Sequence, residues 1–540
     1  MKKTHWLISA LLVCLSFSLI GCQYISFLRK NLVQINPYDY QSTYRDMRLF
    51  GCGYNAEQYT THTNVLKQKE YVIENVKALV IPIDFTDCPA SSLPLGEEGT
   101  KNQLEQVMFS SNSLDWYSLK EYYELSSYNQ CHLSGTVGDW FHIEDTSTHY
   151  AQTKKVEGSR EIATAIHDLY LTKYNEAKAN NDIEGMKKYD LTQYDANKDG
   201  YVDSLILIYS APISNPGDLF WAFCWSVNSP NGSYFPESEG VHRFFWASYW
   251  FFFDNELDYS GQYPAIPASL PEKIAAGSVK PDSHTMVHEF GHVLGLPDYY
   301  VTNYNTEDYD GLGYLDMMSA NIGDHHAFSK SIYGWIKPFY VKGSAKVVMR
   351  STTKTGDVII LPIRGMYKNT LLDQYLMIEF LTPDGVAIYD GEHQYGNRYP
   401  YYYQKPGIRV THIDARMGLF SYNPDTQKST FVDFVTSPYP SLDYTYVSTA
   451  CSNTAEDSCF PNYKLIEILP RQGASIKLFD KATDDMLFKE GDKFGGDDGI
   501  WPNYKMHDSH GDYTVDLGFS FHITKIKEDQ SAEITFTKIA

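Results

Sequence analysis

The consecutive residues His288-Glu289-Phe290-Gly291-His292-Val293-Leu294-Gly295-Leu296-Pro297-Asp298 bring metal ligands, a carboxylate base and a turn into one short stretch. Side chains four apart on a helix share a face, so His288 and His292 can present imidazole nitrogens to a single zinc ion. Glu289 then stands beside the metal without ligating it. Gly295 has no Cβ and can take the left-handed conformation that ends the helix and returns the chain. Asp298 then becomes the third ligand, and a fourth position is left for water. Zinc lowers the pKa of a water molecule toward roughly 7, and a carboxylate within reach can take its proton as it attacks a carbonyl. The pattern predicts a zinc-dependent peptidase with Glu289 as general base. The bare HExxH pentapeptide also arises by chance on amphipathic helices, an explanation that Gly295 and Asp298 weaken.

A second metal loop is expected at Asp195-Ala196-Asn197-Lys198-Asp199-Gly200-Tyr201-Val202-Asp203. Oxygen-bearing side chains alternate there, and a glycine stands where the chain must bend, as in the first part of an EF-hand loop. The twelfth position is Ile206 rather than Glu, and 204–209 reads as a strand, so this is no EF-hand pair. A structural calcium ion held by Asp195, Asn197, Asp199, the Tyr201 carbonyl and Asp203 is the expectation, because carboxylates packed so closely otherwise repel. The alternative is a plain Asx-rich turn.

The elements that must position these groups follow from periodicity. Residues 76–85 form a β-branched apolar run, as in a strand buried on both faces. A short helix is predicted over 118–126, a strand over 131–141, and a helix over 159–180 that buries Ile162, Ala165, Ile166, Leu169 and Tyr170. Between Pro212 and Asp282 an aromatic stretch with Trp221, Trp225, Trp246 and Trp250 can supply an edge strand and cleft wall for an extended peptide. Buried packing accounts for each ring equally well. After the metal motif come Gly313-Tyr314-Leu315-Asp316-Met317-Met318-Ser319-Ala320-Asn321 and Tyr333-Gly334-Trp335-Ile336-Lys337-Pro338.

Taken together, the zinc motif, the Asp-Met-Met-Ser turn, the Tyr-Gly-Trp-Ile-Lys-Pro segment, the calcium loop and the 76–87 strand resemble the immune inhibitor A-type metallopeptidases, secreted bacterial enzymes of the metzincin clan. The resemblance covers residues 71–345. It implies an α+β, zincin-like catalytic domain: a mixed twisted sheet over an active-site helix, with protein or peptide substrates bound extended. It also implies that Met318 lies in a turn beneath the metal, with Met317 as the less favoured occupant. The family usually carries a Trp near the position of Tyr314, which leaves the placement of that turn open. Tyr314 and Tyr333 are near enough in sequence to be oxyanion donors, though tyrosines there more often pack.

Residues 346–540 change character. Period-two runs at 375–380, 407–413, 515–526 and 533–536 predict a β-rich C-terminal region, which resembles the C-terminal modules of the same family. Accessory binding and plain support are both open. His412, His507, His510 and His522 are scattered there as packed or solvated histidines. His284, His325 and His326 lie nearer the motif but lack spacing that improves on Asp298.

Length and charge bound the rest. A chain of 540 residues predicts about two to four domains: a signal segment at 1–22, a tether or short pro-segment at 23–70, the peptidase at 71–345 and the β-rich part at 346–540. The net charge of -22 disfavours nucleic acid, which needs clustered Lys and Arg. Lys2 and Lys3, an apolar run from Trp6 to Ile20, and Leu19-Ile20-Gly21-Cys22 read as an export signal resembling a bacterial lipobox. Cys22 would then be lipidated, making a cell-surface lipoprotein held on the membrane; the alternative is ordinary cleavage and secretion. Export permits disulfides, and Cys451 with Cys459 is the expected pair. Cys52 between two glycines is expected to be a disulfide partner or an inert buried thiol, with a latency thiol capping the zinc as the lesser alternative. A rival from another class is a cell-surface binding or adhesion lipoprotein with a structural metal. Such a site is normally closed by a fourth protein ligand and has no use for Glu289.

Overall fold

The computed structural model describes residues 32–34 and 73–539 except 112–113, 199, 228–239, 242, 303–308, 364–370, 397–398, 424–427, 435–445, 455–462 and 509–510. The expectations for Cys22, Cys52, Asp199 and Cys459 fall outside these residues.

Apolar runs without polar interruption must be covered on both faces, and the Asn75–Phe85 and Ser204–Tyr209 strands are buried along nearly their whole length. They pair in parallel, and the sheet runs His132–Val137, Asn75–Phe85, Ser204–Tyr209, Arg243–Ser248, Phe223–Ser226. The last strand is antiparallel and forms the edge. Period two divides the side chains. Ala78, Val80, Ile206, Ile208, Phe245 and Ala247 join a cluster with Met286, Val287 and Phe290 of the His284–Val293 helix. Leu79, Ile81, Leu205, Leu207, Phe244 and Trp246 face Ile162, Ala163, Ile166 and Tyr170 of the Glu157–Ala179 helix. Thus one helix backs the sheet and the other, which carries the metal motif, lies on its opposite side.

Some expected boundaries shift for local reasons. On the Glu157–Ala179 helix, Leu169 is exposed and Ala163 and His167 are buried in place of Ala165, because the apolar stripe is centred between Ile166 and Ala163. The 131–141 run becomes two strands, His132–Val137 and Phe141–Ile143. Between them Gly138 passes so close to Ile81 and the Tyr170 hydroxyl that a Cβ would clash. The helix at Leu119–Ser126 starts on a capping box: Ser118 Oγ accepts from Glu121 N at 3.1 Å, and Glu121 Oε2 accepts from Ser118 N at 3.2 Å.

A second sheet, mostly from the β-rich half but with its first two strands from before residue 346, runs Leu32–Gln34, Phe339–Val341, Val358–Pro362, Gln374–Leu381, Gly407–Asp414, Ile466–Ile468. Its inner residues Ile360, Tyr375, Met377 and Ile413 belong to the same cluster as the metal-motif helix. Its outer residues Ile359, Leu361, Leu376, Ile378 and Val410 pack on Val347, Phe521 and Ile534 of a four-stranded sheet. The expected 515–526 strand breaks at Gly518, where φ is +72°, into Gly511–Asp516 and Phe519–Ile526. The metal-motif helix packs on the Arg243–Ser248 and Phe223–Ser226 strands of the first sheet, and its hydrophobic cluster continues across residue 345. Among the described residues no helix is long and apolar enough to cross a membrane.

Candidate metal centre

The metal-motif helix ends as its sequence requires. Gly295 takes φ +107°, its N–H donates to His292 O at 2.9 Å, and Leu296 N–H donates to Gly291 O at 3.0 Å. Those two bonds are the Schellman closure that a glycine makes possible. Arg243 Nη1 reaches the same end, donating to His292 O at 2.7 Å and Val293 O at 3.2 Å, where a cation also meets the negative end of the helix dipole. The reversed chain brings Asp298 Oδ1 to 3.1 Å from His288 Nε2 and 3.2 Å from His292 Nε2.

The outer nitrogens decide what these rings can do. His288 Nδ1 lies 2.8 Å from the Met317 carbonyl and His292 Nδ1 lies 2.7 Å from the Leu296 carbonyl. A carbonyl oxygen only accepts, so both Nδ1 atoms carry the proton, and in a neutral ring each Nε2 keeps its lone pair. Two lone pairs and a carboxylate oxygen then converge within 4.8 Å, an arrangement suited to a cation between them. Tetrahedral zinc bonded at roughly 2.0–2.1 Å sets its ligands about 3.3 Å apart, so the Asp298 separations fit that ion within a few tenths of an ångström. His288, His292 and Asp298 are the one such His/Cys/Asp/Glu group among the described residues. The face is open on one side: the Asp298 side chain is 26% exposed and that of His292 13%, enough for a substrate carbonyl to approach. Burial pushes the Asp298 carboxyl up, but His292 and His288, when protonated in place of a bound cation, outweigh it and hold it well below the usual carboxylate range.

Glu289 is buried, with Oε2 lacking a hydrogen-bond partner. Burial raises its pKa, opposed by the neighbouring imidazoles of His292 and His288. An unsatisfied buried carboxylate oxygen is costly to keep, and acid–base chemistry gives it a use.

Beneath the ligands, a Cβ on Gly291 would run into Met318 Sδ, so the methionine turn packs directly under the helix. Asp316 caps that turn with Oδ1 accepting from Met318 N at 2.7 Å. Burial raises Asp316 to about 7, against its bonds to the Met318 and His326 amides. Tyr333 donates to Gly291 O at 3.1 Å and is buried, which commits it to packing. His325 is buried near Gly291 and does not join the ligand set. His284 begins the same helix, between Asp282 and Asp390.

In the other loop, Asp203 Oδ2 accepts from Lys77 N at 2.9 Å, both its oxygens lie 3.2 Å from Ala196 N, and Asp195 Oδ2 accepts from Gly200 N at 2.9 Å. Asn197 is exposed, and Tyr201 opens a two-residue strand. Cys451 is buried with Sγ 3.5 Å from Asp414 Oδ2. The sequence did not single out Arg243, Asp316 or the Met317 carbonyl. Asp316 ahead of a short helical stretch is a readable N-cap, whereas nothing local marks Arg243.

A model of the family described as immune inhibitor A peptidase M6, catalytic domain, matches residues 67–217, ending before His288. Pre-pro-metalloprotease PrtV of Vibrio cholerae serotype O1 is 24% identical over 268 residues, or 45% of this chain and 27% of the relative. Immune inhibitor A of Bacillus thuringiensis subsp. alesti is 23% identical over 270 residues, or 45% of this chain and 36% of the relative. The matched part of the chain thus spans about a third or less of the curated relatives' own length. A metal-ready cluster and a buried carboxylate beside it thus accompany a similarity to metallopeptidases of the immune inhibitor A type.

Proposed function

We propose that this chain is an exported zinc endopeptidase that hydrolyses peptide bonds of extracellular proteins, with His288, His292 and Asp298 holding the zinc and Glu289 as general base. The observation that carries this reading is the convergence of two Nε2 lone pairs and the Asp298 carboxylate. When bound, zinc polarises a substrate carbonyl and lowers the pKa of water. Glu289 takes the proton from the attacking water and returns it to the leaving amine, a transfer eased by the raised affinity that burial gives its carboxylate. The antiparallel edge strand Phe223–Ser226 offers backbone groups to an extended peptide. Met318 and Gly295 serve as floor and turn. The binding-protein alternative leaves the buried Glu289 without a role.

The test is proteolysis of a denatured protein mixture. Activity should vanish with a zinc chelator and return with added zinc, and unchanged cleavage under chelation sinks the reading. Lipidation of Cys22, as opposed to plain secretion, is read from the intact mass of the mature N-terminus. Calcium at Asp195, Asn197, Asp199, Tyr201 and Asp203 is proposed as a structural ion. Its removal should lower the melting temperature by several degrees, since about 1 kcal/mol moves a domain of this size by ~2–4 °C. Asp195→Ala should abolish that dependence, and a melting temperature blind to calcium leaves the loop a turn.

A further inference from the structure

Beyond the metal cluster, a concentration of buried charge among the described residues joins the second sheet to the methionine turn. Arg409 and Glu379 sit opposite one another on neighbouring strands of that sheet. Arg409 Nε and Nη2 donate to Glu379 Oε2 and Oε1 at 2.8 and 2.9 Å, with both side chains 2% exposed. Bidentate geometry is what makes such a pair tolerable in an interior. Glu379 Oε2 lies 3.1 Å from His326 Nε2. His326 Nδ1 accepts from Phe328 N at 3.0 Å, so Nε2 bears the ring proton, which faces both Thr411 Oγ1, at 3.1 Å, and the Glu379 carboxylate. Burial, with Arg409 and Lys330 nearby, keeps that ring below the usual histidine range despite Glu379. The backbone N–H of His326 in turn donates to Asp316 Oδ2 at 2.7 Å. The other Asp316 oxygen caps Met318, and the carbonyl of Met317 orients His288.

We propose that Glu379 and Arg409 are positioning residues for the metal centre, acting through His326 and Asp316 on the turn whose Met317 carbonyl fixes the tautomer and aim of His288. The proposal rests on the zinc reading given above. It assigns the β-rich half a part in holding the metal site. An outer-shell partner of a ligating histidine is worth about 10–100-fold in metal affinity. This pair acts at one further remove, so the expected effect is near the lower end, about tenfold.

Removing one partner alone would strand a buried charge, so the decisive variants remove both. Glu379→Met with Arg409→Met keeps volume and neutrality but deletes the charged partner of His326 Nε2–H, leaving it Thr411 Oγ1 alone. Glu379→Gln with Arg409→Met keeps an acceptor and serves as the conservative rescue. Zinc affinity by chelator competition, the visible spectrum of the cobalt-substituted protein and the melting temperature are measured on the full chain. The account predicts about tenfold weaker zinc binding and an altered cobalt spectrum for the Met/Met variant, with the Gln/Met variant within about twofold of wild type. His326→Leu, which cuts the relay and leaves the ion pair whole, should match the Met/Met variant and decides the matter if that variant does not fold. Folded variants with wild-type affinity and spectrum overturn the proposal. So does loss of fold in both Met/Met and His326→Leu, since the network would then serve the whole core. A wild-type chain that takes no zinc sinks the peptidase reading itself, whereas wild-type binding with equal binding by the variants sinks this proposal alone.

Discussion

The first turn of the metal-motif helix and its later turns carry histidines of opposite character. His284 has both nitrogens on carboxylates, Nδ1 2.6 Å from Asp282 and Nε2 3.0 Å from Asp390, and its ring is stacked between Trp116 and Tyr395 with centroids 3.6 and 3.8 Å away. Burial disfavours its charge, but Asp282 and Asp390 outweigh that and raise it to about 9. One and two turns later, His288 and His292 each place one nitrogen on a backbone carbonyl and leave the other facing Asp298. Carboxylates on both sides suit a structural imidazolium, whereas a carbonyl on one side leaves a lone pair of the kind a metal needs. The same residue type on one helix is thus sorted by what accepts its protons.

Exchanging the two behaviours would break this contrast. His292→Ala should weaken zinc binding by more than the ~10–100-fold that outer-shell changes cost, while His284→Gln should leave zinc affinity within that range. Titration of the chelator-competition signal checks both. His284→Gln should instead act on stability. A group whose folded pKa is raised stabilises fully below its unfolded value of 6.5, and that contribution disappears as pH rises through about 9. Denaturant melts of wild type should therefore lose about 3 kcal/mol between pH 6.5 and 9, and the variant should lack that slope. A wild-type stability flat across this window would return His284 to the ordinary packed histidines. The smallest effect is expected at Gly291→Ala, where the added methyl meets Met318 Sδ. Overpacking of this kind destabilises by about 1–3 kcal/mol, measured as a fall in denaturation midpoint, and an unchanged midpoint would show that the methionine floor yields.

Where partners were close in sequence, the site could be read directly. His288, His292, Asp298, Glu289 and the turn at Gly295 lie within a few turns of chain, and helical spacing with a left-handed stop predicts the convergence of their side chains. The carbonyl that orients His288 is 29 residues away and the guanidinium that caps the helix is 49 from His292, and no periodicity reports such pairings. The strands were legible from apolar runs. Their breaks at Gly138 and Gly518 were not, since one depends on a close approach from another element and the other on a left-handed turn. The division near residue 345 marks a change in pattern from helix and sheet to sheet alone. It does not mark an edge of the core, because the inner face of the second sheet belongs to the same buried cluster as the metal-motif helix and the first sheet. Only packing shows that.

Turnover and metal content measured together on Glu289→Gln test the central claim most directly. Glu289 is buried beside the ligands without belonging to the metal group, so the variant should keep one zinc per chain. Its peptide hydrolysis should fall by about 10²–10⁴-fold, the range of a lost general base. Wild-type turnover in a zinc-loaded Glu289→Gln protein would contradict the account.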